Sequence, residues 1–201
     1  MKSTLYLKFI LLYIVFGFLS LFTTSILGQQ LLLNQLENNA SQSLYKEANV
    51  MATTYLPSYF SNNMTSWSVH SQLSAMKIYL EATLWFVEED GTLITSSNLG
   101  TATAPAMIED FDPAEIGNSQ YIVGRYHGYF DEDVITIMAP VIQGFQTEGY
   151  LLIHKPVSTL EETCTQLMTT VHIILGAVYV LAFLILIGFH FFVFRPLRKI
   201  T

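Results

Sequence analysis

The sequence is poor in charge, in basic residues and in cysteine, and each shortage closes a class of function. Charged residues make up 12% of the 201, about half the usual globular share of about 25%. With 51% of residues apolar, the composition is the reverse of the low-hydrophobicity, high-charge signature of disorder. Lysine and arginine number nine against sixteen acids, a net charge of −7, which leaves no basic footprint for nucleic acid. Cys164 is the one cysteine, so neither an intrachain disulfide framework nor a cysteine-built zinc site can form. A Walker loop, a Gly-x-Ser-x-Gly elbow and a His-Glu-x-x-His pair are all missing. His70, His127, His154, His172 and His190 are scattered, none at ligand spacing from another His or Cys. These residues are expected to catalyse nothing by themselves and to need no cofactor.

What is present is concentrated. Phe9 to Leu27 is a run of nineteen residues without a charge, and Val171 to Phe194 is another of twenty-four. As helices rising 1.5 Å per residue, both are long enough for a hydrocarbon core of about 30 Å, and a helix satisfies its own backbone there. Two readings apply to the first run. Lys2 and Lys8 could form the basic n-region of a cleaved signal peptide. The run is longer than a typical h-region, no Ala-x-Ala site follows, and helix-like sequence continues past Gly28, which favours an uncleaved anchor over residues 9–28.

Charge then sorts by segment. Lys2 and Lys8 precede the first span, and Arg195, Arg198 and Lys199 follow the second. Residues 29–170 hold Lys46, Lys77, Arg125 and Lys155 against all sixteen acids, a net of −12. Basic residues beside spans mark the cytoplasmic side. The expectation is a cytoplasmic N-terminus (1–8), an extracytoplasmic domain (29–170), a second span (171–194) and a cytoplasmic end (195–201). The middle segment is the size of one ordinary domain.

Within it, residues 29–60 place Leu33, Leu36, Ala40, Leu44, Ala48, Met51 and Tyr55 at steps of three and four, an amphipathic helix continuing the first span and ending near Pro57. A second helix is expected over Trp67 to Glu81, with Trp67, Leu73, Met76 and Leu80 on its apolar side. Leu84–Glu88 and Thr92–Ser96 flank Asp90-Gly91 as a hairpin. Residues 98–118 read as a connector. Strands follow at about 120–129, 134–142 and 149–155. Ser158-Thr-Leu-Glu161 has the form of a capping box and opens a helix whose stripe Val157, Leu160, Cys164, Leu167, Val171 runs into the second span.

This order, with Ile135–Ile142, Glu148–Ile153 and Lys155–Leu160 as closing hairpin and exit, resembles extracytoplasmic PAS-like (single Cache) sensor domains. Phe194-Arg-Pro196-Leu-Arg-Lys-Ile-Thr201 is similar to the opening of a HAMP relay helix. The resemblance implies an α+β fold: two transmembrane helices flanking a PAS-like domain with a long N-terminal helix and a five-stranded antiparallel sheet. It further implies the front of a membrane-bound sensor histidine kinase, a homodimer working with a response regulator. The kinase, with its ATP and magnesium, would lie beyond Thr201. A chemoreceptor or cyclic-di-nucleotide cyclase sharing this front, or a complete two-span interaction protein without enzyme activity, is the alternative. Leu160, Cys164, Leu167 and Pro196 would carry the relay.

Two sensory hypotheses come from the residues. Alternation along 121–129 puts Tyr121, Val123, Arg125, His127 and Tyr129 on one strand face, where Arg125 could capture a carboxylate or phosphate with Tyr121, His127, Tyr129 and Trp85 around it. The alternative is that Arg125 pairs with Asp131 or Glu88. Separately, Glu88-Glu89-Asp90, Glu109-Asp110-x-Asp112 and Asp131-Glu132-Asp133 could bind divalent cations or be solvated turns; the latter is favoured, and no metal site is assigned. Cys164 could bridge two chains or be a packed thiol.

Overall fold

A computed structural model of the chain describes residues 3–98, 105–117 and 121–189. The HAMP-like stretch with Pro196, the end of the second apolar run and His190 lie outside the described residues. The chain forms two compact units, residues 34–161 and the paired flanks 1–33 and 162–201.

The elements are α1 (Ser3–Thr23), a π-helical turn (Thr24–Gly28), α2 (Gln29–Thr54), α3 (Pro57–Phe60), α4 (Ser66–Leu80), β1 (Thr83–Glu88), β2 (Leu93–Ser96), α5 (Ala114–Gly117), β3 (Ile122–Gly124), β4 (Val134–Gln143), β5 (Gln146–Pro156) and α6 (Val157–Phe189). The five strands form one antiparallel sheet in the order β2-β1-β5-β4-β3. The α+β class with a long N-terminal helix and a five-stranded antiparallel sheet is therefore what the chain adopts.

Period-two alternation gives the sheet of the 34–161 unit two buried faces. Leu84, Phe86, Ile135, Ile137, Leu151 and Ile153 are fully buried on one. Helices α3 and α4 pack on the sheet, and Phe86 meets the rings of Tyr59 and Phe60 edge-on, both at 5.6 Å. Leu44, Ala48 and Met51 of α2 are buried inside the chain as well, so this part of the predicted stripe is already used within one copy. The opposite face carries Trp85, Val87, Val134, Met138 and Leu152, and among the described residues no long helix covers it. Its roof is the connector and turn, through Ile108, Ile116 and Tyr126.

Several boundaries differ from the sequence expectation. The long helix stops at Thr54, because Pro57 has no N–H to donate and instead opens the short α3. Trp67 is 70% exposed and Val69 takes the buried place on α4. The hairpin turn forms as expected, with Thr92 N donating to Asp90 Oδ1 at 2.8 Å. Gly91 sits at φ 87°, and a Cβ there would lie 2.7 Å from Phe111, so the turn needs glycine for both reasons. Helix α6 begins at Val157, one residue ahead of the expected cap at Ser158. Along it Leu160, Cys164 and Met168 are buried, whereas Leu167 is 44% exposed. The buried stripe steps to 168 rather than 167, which takes Leu167 off the packed side of α6. Cys164 is packed, its Sγ 3.7 Å from the Gln29 carbonyl.

Two helical stretches, Leu7–Phe60 and Val157–Gly188, are long and apolar enough to cross a membrane. In the flanking unit they touch through few but specific contacts. The Tyr13 hydroxyl donates to the Tyr179 carbonyl, and the Tyr13 ring stacks on Phe183 at 6.1 Å. In the π-helical turn, Ser25 Oγ lies 2.8 Å from His172 Nε2. Polar side chains and small residues are what hold helices together in lipid, where hydrophobicity gives no preference. His172 thus has a specific partner.

Candidate functional site

The loop-roofed face of the sheet holds the arrangement that packing alone does not account for. Trp85 on β1 and His154 on β5 are both completely buried, with ring centroids 4.4 Å apart. The register that sets Thr83 opposite His154 and Thr136 opposite His154 places all four side chains on this face. Tyr126 and Phe130 stand 4.9 Å from the imidazole, and Phe130 also stacks on Trp85 at 5.5 Å. Tyr129 completes the ring of aromatics, 5.8 Å from Trp85, its hydroxyl accepting from Glu109 N at 3.2 Å.

One side of the imidazole is satisfied, with Nδ1 2.9 Å from Thr136 Oγ1. The other is not. Among the described residues, His154 Nε2 and Trp85 Nε1 are buried without any hydrogen-bond partner. Leaving such a group unpaired costs about 1–3 kcal/mol, so two together in one place call for an explanation. Burial holds the imidazole neutral, pushing its pKa from 6.5 down to about 3, since a charged ring would be stripped of water here. The Tyr126 phenol is pushed up, by burial first and then by the Glu115 carboxylate and Tyr129.

Beside the aromatic box lies a cavity of about 210 Å³ lined by Glu115, Ile122, Val123, Gly124, Tyr126, His127 and Thr136. Tyr126 and Thr136 are its walls towards His154. At its mouth His127 Nε2 is 3.4 Å from Glu115 Oε2. The turn over the box is strained, with Tyr126 at φ 31° and His127 at φ 51°, backbone that side-chain-bearing residues rarely adopt.

The strand expected over 120–129 ends at Gly124, and the chain then turns over 126–129. The alternation that was to align Tyr121, Arg125, His127 and Tyr129 therefore does not exist. Tyr121 points to the helical side, its hydroxyl donating to Asn38 Oδ1 at 3.0 Å. Arg125 is exposed and, among the described residues, is paired with neither Asp131 nor Glu88. Trp85, Tyr129 and His127 do gather around the box and its mouth. Tyr126 and Phe130, which stand at the other parity from Arg125 along this stretch, are the residues that cover His154. His154, in the sequence no more than one of five scattered histidines, and Thr136 both lie in apolar strand runs, where a polar residue must be explained by a partner. The acidic runs do not converge: among the described residues no group of three or more His, Cys, Asp or Glu side chains could hold a metal ion. Asp90 and Asp112 instead accept from the backbone two residues on, the turn-forming role such residues favour.

No protein-family model matches the chain, and no curated protein matches it. Among solved structures it is similar to the sensor domain of the V. cholerae histidine kinase DctB, at 16% identity and TM-score 0.47 over 70% of this chain and 59% of that one. It is also similar to the ligand-binding domain of the Campylobacter jejuni chemoreceptor Tlp3 in complex with L-valine, at 16% identity and TM-score 0.41 over 74% and 66%. The chain spans less than two thirds of either solved domain, and likeness at this level carries no function across.

Proposed function

We propose that the chain is the signal-sensing and transmembrane relay portion of a membrane receptor. Residues 29–170 face outward, both termini are cytoplasmic, and two copies work together. The observation that carries this reading is a sheet face roofed, among the described residues, by loops and the short α5 and holding two buried polar atoms with no partner among them, in a domain that lies in sequence between two helices able to cross a membrane. A stimulus acts by binding one conformation of that face better than another. The charge asymmetry of the flanks supports the orientation. Output to a two-component histidine kinase, and through it to a response regulator, rests on the HAMP-like resemblance of residues 194–201. The pocket consists of Trp85, Tyr126, Tyr129, Phe130, Thr136 and His154, with His127 at the mouth.

Orientation is tested in intact cells carrying Cys164→Ser together with either Asp131→Cys or Lys2→Cys. A membrane-impermeant maleimide is expected to label position 131 directly and position 2 only after permeabilisation. The reverse pattern overturns the reading.

A further inference from the structure

Three features of the roofed sheet face narrow what it can hold, on the reading above that this face is the sensory pocket. First, the Trp85 Nε1–H is a donor in every state, is fully buried, and among the described residues has nothing to donate to. Second, His154 Nε2 beside it is a donor or an acceptor according to how the Thr136 hydroxyl meets Nδ1, and is equally unpaired. Third, among the described residues lining the cavity beside the box, the ionisable side chains besides Tyr126 are Glu115, which shares the cavity wall with Tyr126, and His127 at the mouth. Arg125 is in the same turn but exposed, and Lys155 is engaged elsewhere, donating to the Leu80 carbonyl at 2.7 Å and lying 3.7 Å from Glu81.

A buried donor asks for an acceptor. An anionic acceptor would enter an aromatic box with a carboxylate at its entrance and no cation inside, at the full cost of its desolvation. A cation is attracted by aromatic faces and by the Glu115 carboxylate, but it brings no acceptor for the Trp85 N–H. A neutral carbonyl meets neither penalty, and an amide satisfies both orphaned atoms at once, its oxygen on Trp85 and its N–H or oxygen on His154. The cavity of about 210 Å³ is room for a molecule the size of a substituted six-membered ring. Tyr126 is the partition between that cavity and the orphaned atoms. Its ring lines the cavity on one side and stands 4.9 Å from His154 and 6.2 Å from Trp85 on the other.

We propose that this face binds an uncharged small molecule bearing a carbonyl, whose oxygen accepts from Trp85 Nε1 once Tyr126 has moved aside to admit it. The ligand class follows from the hydrogen-bonding atoms inside the box and from the sign of the charge at its mouth.

The test uses the full chain in lipid nanodiscs with Trp67→Phe, which leaves Trp85 as the sole tryptophan. Three probes share one ring and differ in charge: benzamide, benzoate and benzylammonium. Benzamide is expected to shift Trp85 emission saturably, and benzoate and benzylammonium to bind at least about 10-fold more weakly. Thr136→Val, which frees the His154 ring from its anchor, is expected to weaken benzamide about 10-fold. Glu115→Gln is expected to narrow the gap between benzoate and benzamide. Benzoate or benzylammonium binding as tightly as benzamide overturns the ligand class while leaving the pocket standing. No response of Trp85 emission to any probe overturns the pocket itself.

Discussion

His154 is where the chain's chemistry departs most from its packing. A histidine kept neutral by burial links stability to pH. Its ordinary pKa of 6.5 falls to about 3 in the folded chain, so below pH 6.5 the unfolded chain takes up a proton that the folded chain refuses. The contribution is therefore complete above pH 6.5 and is lost at up to about 1.4 kcal/mol per pH unit as pH falls towards 3. His154→Gln can keep a hydrogen bond to Thr136 without titrating. Melting temperatures between pH 6.5 and 4 are expected to fall more steeply for the parent chain than for this variant, and parallel curves would show that His154 is not the group responsible. The residue was visible in the sequence but not its burial, because Leu151-Leu-Ile-His154-Lys155 reads as a strand in which either parity could face the core. Arg125 shows the opposite error. It drew notice as a rare cation, yet a turn beginning at that residue carries it out to solvent.

Elements with strong local signals were legible, and those decided by tertiary contacts were not. The Asp90-Gly91 hairpin, the β4–β5 hairpin and the two apolar runs all announce themselves through turn chemistry or length. The strand at 120–129 failed because alternating bulky residues look like a strand until positive φ at Tyr126, His127 and Gly128 folds them back. Nothing in Tyr126-His127 marks that conformation, since only the Gly128 position favours it intrinsically. Helix α4 is set locally. Thr65, in extended conformation, caps it by accepting from Ser68 N at 3.3 Å, and Glu81 closes it in the left-handed region at φ 51°. Thr65→Ala is expected to cost about 1 kcal/mol, read as a lower unfolding midpoint of the whole chain. Thr65→Asp, which can restore the cap, is expected to return most of it; equal loss in both would show that the cap contributes nothing.

For the molecule as a whole, the feature that matters is continuity: β5 ends at Pro156 and α6 starts at Val157, with no linker between them. If the sheet's state passes along that helix, breaking its stiffness must silence the message without unfolding the sensor. The chain fused to the cytoplasmic half of a histidine kinase provides the readout. Thr136→Val is expected to change autophosphorylation in the intact fusion and to have no effect once two glycines are inserted between Thr163 and Thr165, at about 1 kcal/mol of helix propensity each. A persisting response would rule out relay through a stiff helix. The other long helix has a different property. Its π-helical turn, Thr24–Gly28, contains one residue more than an α turn, so faces counted straight through it slip in phase by about 100°. Counted with one residue skipped, the segments on either side stay aligned. The turn lies between the Tyr13 contacts on one side and the Cys164–Gln29 contact on the other, and its surplus residue is what turns both sets towards the same helix, α6.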